Sequence, residues 1–133
     1  MRPIEQLEQH FLNHGVTEYQ LLMCGKYISL YVKQLCSVYE IEYTESELNK
    51  TCKSLCQTML ETLINISNST NITLLNQING MLNDFQTDSK KGIGNLIPLF
   101  DIANRNKKTN TKIISKLADI FVPDDTDIFN NLN

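Results

Sequence analysis

An all-α fold is predicted by three features of this 133-residue sequence. Apolar residues recur at steps of three and four through most of the chain, the spacing that lines one face of a helix. Two signatures, Thr17-x-x-Gln20 and Thr44-x-x-Glu47, supply the reciprocal side-chain and backbone pairing that opens a helix. The nearest thing to a strand, Val38 to Tyr43, is too short to alternate convincingly.

In chain order, residues 3–13 place Ile4, Leu7 and Phe11 at helical spacing, with Gly15 as a stop. The Thr17 box opens a long helix whose apolar face is Met23, Tyr27, Leu30, Tyr31, Leu35 and Val38, running out near Tyr39. The Thr44 box opens another, with Leu48, Cys52, Leu55, Cys56, Met59, Leu63 and Ile66 on one narrow face and Asn49, Lys50, Lys53, Gln57 and Glu61 opposite. Ser67 to Asn71 breaks it, because these side chains compete for the backbone. A fourth helix starts after Asn71 or Thr73 and carries Leu75, Ile78, Leu82 and Phe85.

A polar turn, Gln86 to Lys91, leads into a segment apolar on every side: Ile93, Leu96, Ile97, Leu99, Phe100, Ile102 and Ala103. Such a helix belongs in the core of a bundle or in a membrane, and it falls short of the roughly 20 residues a bilayer needs. Residues 93–104 are therefore expected to be a central helix wrapped by the others. Gly92 and Gly94 at its entrance admit a close backbone or ligand. Pro98 suits a helix that starts near Asn95, or one with a kink. After a polar loop, Asn104 to Asn110, a shorter helix presents Ile113, Ile114, Leu117, Ile120 and Phe121. Pro123 ends it, and Ile128 and Phe129 are expected to fold back on the bundle.

The length suits one domain, residues 1–133, with residues 1–15 as an N-terminal helical extension. A net charge of -3, with only the short pairs Lys90-Lys91 and Lys107-Lys108, argues against nucleic acid. No run has the character of a signal peptide or membrane anchor, so a soluble protein is expected. Cys24, Cys36, Cys52 and Cys56 fall in helical patterns without a CxxC pair and read as reduced, buried small hydrophobes in a cytosolic setting. The triplets at Asn65, Asn68 and Asn71 read as a polar turn rather than glycosylation sites.

Catalytic signatures are lacking. His10 and His14 have a metal-gripping spacing, but a zinc site needs about four ligands. Only Cys52 and Cys56 are candidates to complete it in space, so two solvated histidines are the preferred reading, with no metal and no cofactor. The GIGN stretch lacks the Lys-Ser/Thr of a phosphate loop, and there is no nucleophile elbow. An enzyme is not expected.

Phe85-x-x-Asp88 followed by Gly92-Ile-Gly-Asn-Leu-Ile-Pro-Leu-Phe-Asp-Ile-Ala103 resembles the first homology region of the Bcl-2 family, with Gly94 as the family glycine, Asn95 at its arginine position and Ile93 for its tryptophan. Lys26-Tyr27-Ile28-x-x-Tyr31-Val32 resembles the fourth homology region. Leu48-x-x-x-Cys52-Lys53-x-Leu55 resembles the BH-3 pattern, with Lys53 replacing the usual aspartate. Phe121 to Phe129 echoes the second homology region. The likeness spans about residues 18–130 and is closest to small, virally encoded members.

That resemblance implies a Bcl-2-like bundle and an anti-apoptotic role, holding the BH-3 helix of pro-apoptotic host proteins in a surface groove. The groove would have Gly94, Asn95, Ile97 and Pro98 on its floor, Leu55 and Met59 on one wall, and Ile78, Leu82 and Phe85 on the other. Asn95 cannot supply the family's charge pair, a loss of about 2–5 kcal/mol when one side of such a pair is truncated, so a narrow ligand range is expected. Ordinary core packing is the competing reading of Leu82, Phe85 and Ile97. Two alternatives stand beside it: an adaptor of the same fold that suppresses host innate immune signalling through a non-groove surface, and a homodimeric scaffold with the N-terminal helix as its seam. The implied location is the host cytoplasm, with peripheral attachment to mitochondria.

Overall fold

The computed structural model describes residues 2–121. Among them the chain forms α1 (Pro3–Leu12), α2 (Glu18–Val38), α3 (Glu45–Ser69), α4 (Leu74–Thr87), α5 (Ser89–Arg105) and α6 (Lys112–Phe121), with no strand. The fold is an all-α bundle. Pro123, Ile128, Phe129 and most of the Phe121 to Phe129 echo lie outside the described residues.

The helix starts follow the sequence signals. Thr17 and Gln20 form the full reciprocal pair, the Gln20 amide donating to Thr17 Oγ1 (3.1 Å) and the Thr17 amide to Gln20 Oε1 (2.9 Å). At Thr44 only half of the box forms: its hydroxyl accepts from the Glu47 amide (3.1 Å), while the Glu47 carboxylate turns to Lys112 Nζ, 3.7 Å away. Thr73 caps α4. Gly15, at φ +89°, ends α1, with the Val16 amide donating to the Phe11 carbonyl. The end of α2 uses the same left-handed turn without a glycine. Glu40 sits at φ +54°, and the Ile41 amide reaches the Cys36 carbonyl (2.8 Å).

Several expectations are corrected. The polar turn of Gln86 to Lys91 contracts to a single residue, Asp88, whose carboxylate caps the Lys90 amide (3.0 Å). Consequently α5 starts well before Asn95, and Gly92, Gly94 and Pro98 all lie inside it. Two of the three Asn triplets begin within α3, which runs to Ser69. The buried face of α2 is turned from the one expected: Cys24, Ile28, Tyr31, Val32, Leu35 and Cys36 face inward, while Leu30 and Val38 face solvent.

The central position is shared between α5 and α3. Segment 93–104 is not apolar on every side: α5 buries one stripe, Gly92, Leu96, Leu99, Phe100 and Ala103, and leaves Ile102 45% exposed. Helix α5 packs against α2, α3, α4 and α6, and α3 packs against all five other helices. The inward face of α3 is wider than its apolar residues suggest, because Thr51, Ser54 and Thr58 are buried beside Leu48, Leu55, Met59 and Leu63. The Thr51 and Thr58 hydroxyls donate to the carbonyls of Glu47 and Ser54 (2.8 Å each), so burial costs them no hydrogen bond. Short side chains there also let neighbouring helices come close. Among the described residues, no helix is long and apolar enough to cross a membrane.

Candidate functional site

The nine residues expected to frame a groove separate into two groups. Leu55, Met59, Ile78, Leu82 and Phe85 are buried in the core. Asn95 and Ile97 are half-buried, and Gly94 and Pro98 are exposed on α5. Asn95 Nδ2 donates to Asp84 Oδ2 (3.0 Å), fastening α5 to α4. Of the two glycines expected to admit a close approach, Gly92 meets neighbouring side chains and Gly94 faces open space. A Cβ on Gly94 would meet nothing within 4 Å. A Cβ on Gly92 would lie 3.0 Å from Phe85 Cδ1, 3.0 Å from Tyr31 Cε2 and 3.3 Å from Phe85 Cα.

Gly92 thus lets the first turn of α5 settle onto an aromatic cluster. Phe85 lies 5.8 Å, centroid to centroid, from both Tyr27 and Tyr31. The buried Tyr31 hydroxyl donates to the Phe85 carbonyl near the end of α4. Phe85, expected on a groove wall, is thus engaged with Tyr27 and Tyr31.

An open cleft lies elsewhere, between α1, α2 and α3, with a volume of about 1070 Å³. Ile4, Leu12, Leu21 and Leu60 give it an apolar lining, and Tyr19 and Leu22 stand on its rim, 68% and 56% exposed. Gly25, also on the lining, leaves room at the wall, since a Cβ there meets nothing within 4 Å. Glu8, Glu18, Lys26 and Lys53 supply charges of both signs. An apolar trough with a charged margin suits a helix or loop from another protein better than a small polar substrate. Leu22 lies off the Met23–Tyr27 stripe, whereas Tyr19 continues that stripe one turn towards the start of α2 and was passed over. The available signal was the excess of apolar residues from Tyr19 to Val32, more than one helical face can hold.

Cys24, Cys52 and Cys56 also line this cleft, and all four cysteines are free thiols. Cys24 and Cys36 are buried as expected, whereas Cys52 and Cys56 are partly exposed, a correction to the fully buried reading. Burial pushes the Cys24 thiol up to about 12, and burial with the neighbouring Cys52, Cys24 and Glu8 does the same for Cys56. Burial raises Cys52 too, against the pull of Ser29 and Lys33. Thiols held protonated in this way are weak nucleophiles. His10 and His14 are exposed, their rings 4.4 Å apart, and among the described residues no third His, Cys, Asp or Glu joins them in a metal-binding group.

No protein-family model, curated protein or solved structure matches this chain.

Proposed function

We propose that this protein is a non-catalytic helical binding module that acts as an adaptor, receiving an amphipathic segment of a host signalling protein in the α1–α2–α3 cleft. In terms of the Bcl-2 resemblance, this is the role that suppresses innate immune signalling through a surface other than the groove beside Gly94, with Met59 the one expected groove residue that also lines the trough. The observation that carries it is the contrast between two places. Leu82, Phe85 and their neighbours are closed into the core, while Tyr19 and Leu22 stand exposed beside an open apolar trough. Exposed large apolar residues grouped at a cleft are the usual mark of a protein-binding surface.

Capture of a pro-apoptotic BH-3 helix is the second reading. It is favoured by the open approach at Gly94, next to the half-buried Asn95 and Ile97. For a guest helix to enter there, the Asn95–Asp84 hydrogen bond must give way so that α4 and α5 can part.

Two substitutions at exposed positions separate the readings without disturbing the core. Leu22→Glu and Gly94→Glu are compared in a cell-based reporter of inflammatory signalling and in titrations with a panel of labelled BH-3 peptides. The adaptor reading expects suppression of the reporter to be lost with Leu22→Glu and kept with Gly94→Glu. Tight BH-3 binding that disappears with Gly94→Glu and survives Leu22→Glu would replace it with the second reading.

A further inference from the structure

Four of the chain's twelve basic residues, Arg2, Lys50, Lys53 and Lys108, line a second cleft of about 310 Å³, and no acidic residue among the described residues does. They arrive from three separate stretches: the residue ahead of α1, the first half of α3, and the loop between α5 and α6. In a chain whose net charge is -3, this concentration is a product of folding and not of composition. Like charges gathered around a concave surface focus a positive potential into it.

Ser54 lines the same cleft. The residue is 5% exposed, and its Oγ has no hydrogen-bond partner among the described residues. A hydroxyl on a helix readily turns back to the carbonyl one turn earlier, as Thr51 and Thr58 do on this same helix. Ser54 is the exception, so a buried donor is left unused beside four cations. Such a group calls for an acceptor. Arg2 is loosely held by Glu5 (3.3 Å) in an ion pair open to water, which a stronger anion can displace.

We infer that this cleft binds a small phosphate-bearing ligand, with phosphoryl oxygens taken by the ammonium groups of Lys50, Lys53 and Lys108 and by the Ser54 hydroxyl. Charge-assisted hydrogen bonds of this kind are the strong ones. The volume equals that of about ten water molecules, enough for a diphosphate group. A soluble phosphorylated metabolite and a phosphorylated lipid headgroup present the same chemistry here, and the site adjoins the α1–α2–α3 trough proposed for a protein partner, sharing Ile4 and Lys53 with it.

The test is calorimetric titration of the full chain with inorganic pyrophosphate at low and near-physiological salt. A second arm is co-sedimentation with phosphatidylcholine vesicles, with and without phosphatidylinositol bisphosphate. Pyrophosphate binding is expected to weaken with salt, to fall about tenfold or more in Lys50→Ala/Lys108→Ala and about fivefold in Ser54→Ala. Ser54→Ala is expected to melt no lower than the wild type, since it removes an unpaired buried hydroxyl. Vesicle binding that needs the phosphoinositide and is lost in the double lysine variant supports the lipid source; pyrophosphate binding alone supports the soluble one. Failure of both probes overturns the proposal. So does binding that neither variant weakens, or preference for an aspartate-rich peptide over pyrophosphate.

Discussion

Replacing Gly92 and Gly94 in turn by alanine tests how α5 is seated, because two glycines two residues apart on one helix should respond with opposite sign. Both lie inside α5, where exchange of glycine for alanine gains about 0.8–1 kcal/mol of helix propensity. At Gly94 nothing opposes that gain, since the added methyl meets no atom within 4 Å. At Gly92 the methyl would lie 3.0 Å from ring carbons of both Phe85 and Tyr31 and 3.3 Å from the Phe85 backbone. Neither ring is free to retreat: both residues are buried, and the Tyr31 hydroxyl is tied to the Phe85 carbonyl. Forcing a methyl into packing this tight costs about 1–3 kcal/mol, so Gly92→Ala should lose about 1 kcal/mol net. Gly94→Ala should gain nearly 1 kcal/mol. The two variants then differ by about 2 kcal/mol, readily separated by urea denaturation with unchanged m-value. A Gly92→Ala protein as stable as the wild type would mean that the aromatic cluster repacks freely, and the account of the closed α4–α5 seam would fail.

The same seam predicts that Tyr31→Phe, which leaves the Phe85 carbonyl without its donor, costs about 1–2 kcal/mol in the same assay. Glu40 holds a left-handed conformation that glycine adopts without strain, so Glu40→Gly should stabilise by about 0.5–1 kcal/mol; a loss would mean that its side chain contributes more than its backbone costs. Cys24 and Cys56 are raised in the folded state from an ordinary 9.0 to about 12. The folded protein therefore holds protons that the unfolded chain gives up, and stability should be level below pH 9 and decline from there towards pH 12. Denaturation at a series of alkaline pH values should show a shallower decline in Cys24→Ala/Cys56→Ala, and an equal slope would remove the thiols as its cause.

The starts of α2, α3 and α4 were legible because they depend on local chemistry: Thr17, Thr44 and Thr73 are each used as caps, whereas Asp88, the cap of α5, read as part of a longer polar turn. Helix faces were less legible. Thr51, Ser54 and Thr58 count as polar in any periodicity, yet two of them satisfy themselves on the helix's own carbonyls and can be buried like apolar residues. Conversely, the apolar density of segment 93–104 suggested burial on all sides, but Ile102 and Pro98 face outward, on the side of α5 that α2, α3, α4 and α6 leave uncovered. The resemblance pointed to Gly94 because of its motif position. Which of two nearby glycines touches an aromatic ring depends on the rotation of α5, and that rotation is set by the one-residue junction at Asp88, shorter than the polar composition of Gln86 to Lys91 implied. Lys50, Lys53 and Lys108 likewise became neighbours only through the fold.

Because α3 is the surface on which α1, α2, α4, α5 and α6 all rest, no selection of the remaining helices can shelter its apolar residues without it. Opening α3 therefore uncovers part of every other described helix, whereas opening α1 uncovers chiefly α3. Amide protons in the middle of α3 should thus be the last to exchange with solvent, at the rate of global unfolding. Those of α1 should go early, and the trough that α1 helps to form would widen and narrow as it does.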